Sequence, residues 1–225
     1  LNGAVLDFFR CALGIPCCEG YGQTECVAGV TLTAPLEYRG GHVGIPIVCN
    51  KLKLADVPDM GLVASRDNKG EVCVKGYNVT DGYFKLPEQT KDLIDEDGWL
   101  HTGDVGIWTE FGALKIVDRC KHIFKLSQGE YIAPEKIEGI YTRSRFVAQV
   151  FLDGNSLCSY VVAIIVPDFE TLVPTAKAMG IEEVEPQQLC NNQQVIDLVL
   201  NDITSESRAS GLKGFEIARA IHLIP

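Results

Sequence analysis

The pattern of apolar stretches and turns in this sequence changes near residue 119, and this change divides the chain into two regions. Up to about residue 118, short apolar stretches alternate with glycine-rich turns, a pattern typical of a mainly β region. From about residue 120 onward, strand-like and helix-like stretches alternate. A chain of 225 residues is long enough for two such regions. We therefore predict a mixed α/β and α+β protein with two domains, 1–119 and 120–225.

In the first region, the apolar patterns predict strands within 43–57, 71–75 and 114–117. One helix is predicted at 87–93, because proline is tolerated in the first turn of a helix and an acidic, polar stretch follows it. The first region is therefore expected to be mainly β with few long helices.

In the second region, Ile137, Ile140 and Tyr141 have the spacing that places three side chains on one helical face. A second helix is expected around 172–179, and Pro174 is acceptable there only if that helix begins just before it. The other predicted elements are two strands paired around the turn at 153–155, a helix and a final strand, at 147–152, 160–166, 195–203 and 217–224.

Composition excludes several classes of function. The formal charge is −10 and no cluster of five or more Lys/Arg residues occurs, so no nucleic-acid partner is expected. The nine cysteines are scattered without a C-x-x-C pair, which indicates a reduced, intracellular protein. The four histidines share no metal-ligand spacing with these cysteines, which argues against structural zinc. The longest apolar run, 160–167, is too short to span a bilayer and is expected to be a buried strand.

The stretch Gly-Tyr-Gly-Gln-Thr-Glu at 20–25 contains the first candidate site. Its glycines allow a ligand to approach the backbone, and Tyr21 can stack on a base. Thr24 can donate to a phosphate oxygen, and Glu25 can hold Mg²⁺. Taken alone, this stretch is more often an ordinary turn between strands.

Two further stretches concentrate polar side chains. Gly-Trp-Leu-His-Thr-Gly-Asp at 98–104 predicts a hairpin with Asp104 displayed beyond its turn, where a carboxylate suits the two hydroxyls of a ribose. The alternative is that Asp104 caps the turn and His101 is an ordinary surface histidine. At 117–125, Arg119 offers a planar fork for ribose or phosphate oxygens, and Lys125 offers an ammonium for a developing anion. Lys121 and its histidine neighbour are expected to be solvated.

The order of these motifs resembles the acyl-adenylate-forming superfamily over nearly the whole chain, and several stretches are similar to eukaryotic long-chain fatty acyl-CoA synthetases. The superfamily motifs are Gly-Tyr-Gly-Gln-Thr-Glu, Gly-Glu-x-x-Val-Lys-Gly, Gly-Trp-x-His-Thr-Gly-Asp and Asp-Arg-x-Lys-x-x-x-Lys, at 20–25, 70–76, 98–104 and 118–125. The more specific stretches lie at 74–79, 122–138 and 210–216.

The resemblance implies the carboxyl-terminal part of a large adenylate-forming domain, with a mainly β subdomain at 1–119, followed by a small mobile α+β domain at 120–225. It implies ATP-dependent activation of a long-chain fatty acid through an acyl-adenylate, with Mg²⁺ as cofactor and coenzyme A as co-substrate. It implies that nucleotide is bound by Tyr21, Gly22, Gln23, Thr24, Asp104 and Arg119. Thr24, Glu25 and Lys125 are the implied catalytic residues, and Glu25 is the implied metal ligand.

By the same resemblance, Lys121 lies at the hinge of the small domain, and Lys125 serves thioester formation. The family's phosphate loop is expected upstream of Leu1 and its adenylation lysine beyond Pro225; Lys213 does not match that lysine. The chain is therefore expected to be truncated at both ends and inactive alone. The family is commonly attached to the endoplasmic reticulum or the outer mitochondrial membrane, which implies the same location for the full-length protein.

Two alternatives stay open at this point. One is an adenylate-forming ligase for another carboxylic acid, because most of the residues that would shape the acyl pocket are expected upstream. The other is a non-catalytic remnant that binds a nucleotide or acyl-CoA.

Overall fold

The computed structural model describes residues 3–182 and 185–225. The chain separates into two compact units, Leu1–Cys120 and Lys121–Pro225, and each is described by itself. The boundary predicted from the sequence differs from this division by one residue. The assignment of 1–119 to a larger AMP-binding domain and of 120–225 to a small carboxyl-terminal domain stays a prediction.

The first unit combines short helices with two sheets. Its elements are α1 (Gly3–Leu13), β1 (Gly20–Tyr21), β2 (Thr31–Leu32), β3 (Ile45–Pro46), β4 (Asn50–Ala55), α2 (Ala64–Asp67), β5 (Lys69–Gly76), α3 (Pro87–Leu93), β6 (Leu100–Trp108) and β7 (Leu114–Arg119), with 3₁₀ turns at Thr24–Cys26 and Pro58–Met60.

The larger sheet of this unit is antiparallel, with its strands in the order β4-β5-β6-β7. The smaller sheet has the order β1-β2-β3 and is also antiparallel. Val72 and Val74 on β5 are fully buried in one cluster with Leu100 and Leu114, which begin the next two strands. This apolar face fixes the register, because a slip of one residue would turn these side chains outward.

β3 and β4 lie within the predicted stretch 43–57, and the strands predicted at 71–75 and 114–117 lie within β5 and β7. α3 has the predicted bounds, 87–93. The helix α1 and the one-turn α2 were not predicted. The Arg10 guanidinium of α1 donates to the carbonyls of Glu37 and Tyr38 at 2.7 and 2.9 Å. Such distant contacts hold α1 in place and leave no local signal in the sequence.

The second unit is α+β. Its elements are β8 (Phe124–Lys125), β9 (Tyr131–Ile132), α4 (Pro134–Tyr141), β10 (Val147–Asp153), β11 (Val162–Pro167), α5 (Phe169–Ala178), α6 (Pro186–Asn191), α7 (Gln193–Ala209) and β12 (Ala220–Leu223), with a 3₁₀ turn at Gly214–Glu216. β10 pairs antiparallel with β11, which pairs parallel with β12. β8 and β9 form a separate antiparallel pair.

One large apolar cluster fills this second unit. The predicted stripe of α4 is buried, since Ile137 and Tyr141 are fully inaccessible and Ile140 is nearly so. The apolar stripe of α7 packs in the same cluster through Val195 and Val199. The spacing of 3.6 residues per turn therefore predicted these two helices correctly.

The expectation that the helix around 172–179 begins just before Pro174 was wrong. α5 begins at Phe169, and Pro174 lies inside it. The Asp168 carboxylate caps the helix by accepting from the backbone N–H of Glu170 at 3.0 Å. Leu172 and Ala176, on either side of the proline, are fully buried. The cap and this burial offset the hydrogen bond that the proline cannot donate.

The apolar run at 160–167 forms β11 with one exposed face, so the expectation of a buried strand was only partly right. Ala163 and Ile165 are buried, whereas Val162 and Ile164 are 36% and 39% exposed. Over the described residues, no helix combines the length and the hydropathy needed to cross a membrane. All nine cysteines lie in the described part of the chain, and each is a free thiol.

Candidate functional site

Seven of the eight candidate residues lie in the first unit, and Lys125 lies in the second. Tyr21 ends β1, and the stretch that follows contains Gly22, Gln23 and the 3₁₀ turn with Thr24 and Glu25. The other two, Asp104 and Arg119, face each other across the antiparallel pair of β6 and β7.

The structure brings Tyr21, Asp104 and Arg119 together. The Tyr21 hydroxyl donates to Oδ2 of Asp104 at 2.6 Å, although the two residues are 83 positions apart. Nε of Arg119 lies 3.6 Å from Oδ1 of the same carboxylate, and this arginine side chain is 62% exposed. A carboxylate has about four lone-pair sites, so these two contacts leave acceptor capacity for a ligand.

A tight antiparallel turn does join Ile94 to Leu100, but Asp104 is not displayed beyond it, so that part of the prediction was wrong. It lies inside β6 and is only 7% exposed. Two residues earlier, the Thr102 hydroxyl accepts from the backbone N–H of Asp104 at 3.1 Å and donates to the Val72 carbonyl at 2.8 Å. A bulge in the β5–β6 pairing therefore aims Asp104.

Burial and the Asp104 carboxylate both raise the pKa of the Tyr21 phenol well above its ordinary value, with burial the larger cause. A low-polarity environment and a neighbouring anion each disfavour a phenolate. Tyr21 therefore remains a hydrogen-bond donor to Asp104 throughout the physiological pH range.

Gly22 lacks a side chain for a reason internal to the loop. A Cβ atom built on Gly22 would lie 1.8 Å from the carbonyl oxygen of Ala28, a distance that no real contact allows. The glycine therefore permits the loop to fold onto itself, which is a different reason from the ligand approach expected from the sequence. Beside it, the buried Nε2 of Gln23 has no hydrogen-bond partner among the residues that the structure describes. A buried amide donor without a partner is unusual.

Thr24 is exposed and Glu25 is half-buried in the 3₁₀ turn. Oε1 of Glu25 accepts from the Tyr83 hydroxyl at 2.5 Å, and its backbone carbonyl accepts from the N–H of Thr80 at 2.8 Å. The hydrogen bond to Glu25 is the main cause that raises the pKa of Tyr83. The Glu25 carboxylate is therefore oriented by a neutral donor, and its remaining lone pairs are free to bind a cation.

Sequence reasoning did not identify two residues that hold this loop, Asn78 and Tyr83. The Asn78 amide donates to the carbonyls of Cys26 and Gly29 at 2.7 and 2.9 Å. Asn78 lies in the stretch Val-Lys-Gly-Tyr-Asn-Val at 74–79. The place of this stretch in the order of the motifs could have identified Asn78 as part of the site. No comparable local pattern marks Tyr83.

Lys125 ends β8 and is exposed. Its ammonium lies 5.2 Å from the centre of the Tyr131 ring on the paired strand β9. A contact of this length supplies a weak cation–π attraction. Lys121, expected to be solvated, is also exposed.

His101 is not an ordinary surface histidine. Its side chain is 32% exposed, and Nδ1 lies 2.8 Å from Oε2 of Glu71. Nε2 lies 3.5 Å from Oδ2 of Asp95. The other oxygen of the Glu71 carboxylate, Oε1, accepts from the backbone N–H of Gly103 at 2.9 Å. This glycine has a φ of +72°, a backbone conformation that glycine adopts without strain.

Comparisons with known proteins match both the first part of the chain and its whole length. Residues 1–84 match the family described as AMP-binding enzyme. The whole chain is 53% identical to human long-chain-fatty-acid–CoA ligase 1 and covers 32% of it. It is 50% identical to long-chain-fatty-acid–CoA ligase 5 of Rattus norvegicus, again over the whole chain and 33% of that protein. The chain thus spans about a third of the length of these curated relatives.

Among solved structures, the chain is similar to the adenylation domain of a carboxylate reductase from Mycobacterium chelonae. The TM-score is 0.78 at 30% identity, over 99% of this chain and 32% of that one. The fold is therefore the mixed α/β fold of adenylation domains. Over its whole length the chain is similar to the long-chain-fatty-acid–CoA ligases, and its first 84 residues match the AMP-binding enzymes.

Proposed function

We propose that this chain is part of an enzyme that uses ATP to activate long-chain fatty acids and transfers the acyl group to coenzyme A. One observation carries the proposal. Residues from three separate motifs, Tyr21, Asp104 and Arg119, meet at one carboxylate, in a chain that is 53% identical throughout to a human ligase of this kind. The likeness to carboxylate reductase domains is weaker at 30% identity, which favours a long-chain fatty acid over another carboxylate.

The residues of the first unit suit ATP and Mg²⁺. Mg²⁺ prefers carboxylate and phosphate oxygens, and Glu25 offers a carboxylate oriented by Tyr83. The unpaired Nε2 of Gln23 is a donor for an acceptor atom of the nucleotide. Asp104 offers acceptor capacity to the two ribose hydroxyls, with the Arg119 guanidinium beside it. In this proposal Tyr21 lies against adenine, and Thr24 donates to a phosphate.

The chemistry needs no side-chain nucleophile. The fatty acid carboxylate attacks the α-phosphorus of ATP, pyrophosphate leaves, and the coenzyme A thiol then displaces AMP from the acyl-adenylate. Catalysis of such displacements rests on positioning and on stabilising the developing charge. The residues of this chain position the nucleotide, since Asp104 and Glu25 are each held by a tyrosine hydroxyl.

Lys125 is proposed to serve thioester formation, as the family resemblance implies. We expect Lys125→Ala to slow the reaction of acyl-adenylate with coenzyme A more than it slows acyl-adenylate formation. Loss of one charge-stabilising donor typically costs about 10²–10³ in rate. Single-turnover measurements of the two steps in the full-length enzyme separate them, and Lys177→Ala, a change at an exposed lysine of the same unit, is the matched control. Equal slowing of both steps would contradict the proposal that Lys125 serves mainly thioester formation.

The proposal also covers the location of the full-length protein in the cell. By resemblance to the long-chain synthetases, we propose that the full-length protein associates with the endoplasmic reticulum or the outer mitochondrial membrane. Fractionation of cells that express the tagged full-length protein tests this, and recovery in the soluble fraction would contradict it.

The experiment that tests the nucleotide site is Asp104→Ala, measured as ATP affinity by calorimetry. Loss of one or two charge-assisted hydrogen bonds is expected to weaken binding about 10–100-fold. Asp59→Ala is the matched control, because Asp59 is an exposed aspartate of the same unit. An unchanged ATP affinity in a folded Asp104→Ala variant would refute the ribose assignment.

A further inference from the structure

A second cluster of ligand-type side chains lies in the first unit, on strands β5 and β6. Cys73 and His101 are direct partners in the antiparallel register. Glu71 is two residues before Cys73 and therefore points to the same side of β5. One ligand atom from each of these three residues lies within 4.8 Å of the other two.

The distances within the cluster fit a tetrahedral metal site. Sγ of Cys73 lies 3.6 Å from Nδ1 of His101. Zinc–sulfur and zinc–nitrogen bonds of about 2.3 and 2.0–2.1 Å at a tetrahedral angle place the two ligand atoms about 3.6 Å apart. Oε2 of Glu71 lies 2.8 Å from the same nitrogen, a hydrogen-bond distance, and needs to move by only about 0.5 Å to become a third ligand.

A second observation, independent of these distances, points to the same conclusion. The other ring nitrogen of His101, Nε2, lies 3.5 Å from the Asp95 carboxylate. A histidine that binds zinc usually gives its second N–H to a carboxylate, which fixes the tautomer and strengthens the ligand. The Lys53 ammonium lies 3.8 Å from the same carboxylate oxygen. Asp95 therefore orients His101 so that Nδ1 faces Cys73.

We propose that Cys73, His101 and Glu71 form a binding site for Zn²⁺ that is separate from the proposed ATP–Mg²⁺ site. The donor set of one thiolate, one imidazole and one carboxylate suits zinc, whereas magnesium prefers oxygen ligands alone. With three protein ligands, the fourth position is left to water. Cys73 is fully buried, and the ion enters from the side of His101 and Glu71, whose side chains are 32% and 18% exposed.

Metal binding competes with protons at this site. Burial, followed by the charge of Glu71, raises the pKa of the Cys73 thiol to about 12. The thiol is therefore protonated at neutral pH in the absence of metal, and zinc displaces that proton as it binds. Glu71 also connects the site to its surroundings, because its other oxygen holds the backbone N–H of Gly103, next to Asp104.

The test is a titration of the whole chain with Co²⁺, which takes zinc sites and reports thiolate ligation by a charge-transfer band in the near ultraviolet. We expect one such band at one equivalent of Co²⁺, and its loss when Zn²⁺ is added. Cys73→Ser is expected to abolish the band, and Glu71→Gln to weaken Co²⁺ binding at least about 10-fold. Cys49→Ser is the matched control, because Cys49 lies in the same unit outside the cluster.

Each result decides for or against the site. A wild-type chain without the band, a folded Cys73→Ser variant that keeps it, or a loss of the band in Cys49→Ser would overturn the proposal. Circular dichroism establishes that each variant is folded. If Cys73→Ser does not fold, His101→Gln replaces it, and an undiminished affinity in that folded variant also overturns the proposal.

Discussion

The two units use a tyrosine hydroxyl for different purposes. In the first unit, the Tyr21 hydroxyl donates to the Asp104 carboxylate at 2.6 Å. In the second unit, the Tyr141 hydroxyl accepts from the backbone N–H of Ala218 at 2.8 Å. Burial is the largest cause that raises the pKa of both phenols. The same residue type and the same electrostatic effect therefore serve a charged side chain in one unit and the backbone in the other.

The surroundings of the two tyrosines explain this difference. Tyr141 is fully inaccessible within the large apolar cluster that includes α4, α5 and α7. Tyr21 is half-buried at the edge of a smaller cluster, next to polar groups such as Gln23 and Asp104. Polar groups inside the second unit connect its elements, whereas several of those in the first unit keep hydrogen-bonding capacity for a ligand. The comparison predicts that changes inside the second unit lower stability, whereas changes at the candidate site of the first unit lower ligand affinity.

The largest effect is expected from the apolar cluster of the second unit. Leu172→Ala removes a fully buried side chain from α5. Such a substitution costs the transfer free energy of the lost methyl groups and leaves a cavity, about 2–5 kcal/mol in total. Chemical denaturation followed by far-ultraviolet circular dichroism measures the lost free energy of unfolding.

Leu157→Ala is the matched control, since Leu157 belongs to the same unit and is 89% exposed. Its effect is expected to stay within about 0.5 kcal/mol. If the two variants were equally stable, the cluster would not be the main source of stability in the second unit.

A smaller loss of stability is expected from Tyr141→Phe. The substitution keeps the ring and removes the hydroxyl, which accepts from the backbone N–H of Ala218 and also forms a hydrogen bond with the Ser207 side chain. The Ala218 N–H is then buried without its acceptor. An unsatisfied buried group of this kind costs about 1–3 kcal/mol. Denaturation measures it, with the 37%-exposed Tyr160, replaced by Phe, as the control. A Tyr141→Phe variant as stable as the wild type would show that water replaces the lost acceptor.

The same variant has a signature in the pH dependence of stability. An unfolded tyrosine ionises near pH 10, while burial keeps Tyr141 protonated to a higher pH in the folded state. Its contribution is therefore fully present below pH 10 and is lost as the pH rises through the folded pKa. Above pH 10, Tyr141→Phe is expected to lose less stability than the wild type, by up to about 1.4 kcal/mol per pH unit.

Local signals in the sequence were sufficient for part of the fold. α3 has the predicted bounds because Pro87 marks a first helical turn, and α4 is present because three apolar residues share one face. α5 was predicted with the wrong start, because the burial of Leu172 and Ala176 overrides the local effect of Pro174. α1 was missed because its contacts come from Glu37 and Tyr38, far along the chain.

The candidate site also depends on contacts between residues far apart in the sequence, which local patterns do not predict. Motif order identified the residue types at positions such as Tyr21 and Asp104, whose contact joins residues 83 positions apart. Their binding roles stay predictions. The argument from spacing against a zinc site rested on neighbours along the chain, whereas strand register pairs Cys73 with His101 across 28 residues. Register and bulges are set by the whole sheet, so no local pattern reports them.

The smallest expected effect is that of Tyr21→Phe, and it tests the comparison most directly. Removing the hydroxyl leaves the Asp104 carboxylate with the nearby Arg119 but without its shortest hydrogen bond. A net loss of about 0.5–1.5 kcal/mol is expected to weaken ATP binding about 3–10-fold. Stability is expected to fall less than in Tyr141→Phe, because Tyr21 is only half-buried and water can replace the phenol.

Calorimetry with ATP and chemical denaturation are carried out on both tyrosine variants. The two ATP affinities and the two free energies of unfolding test the comparison between the units. Tyr77→Phe serves as the control in the first unit, since Tyr77 is fully exposed. The comparison holds if Tyr21→Phe loses affinity while Tyr141→Phe loses stability and keeps its affinity. If Tyr21→Phe instead loses stability at unchanged affinity, the hydrogen bond to Asp104 is an internal link like that of Tyr141. Asp104 would then have to be removed from the proposed nucleotide site, because its carboxylate would serve the fold of the first unit.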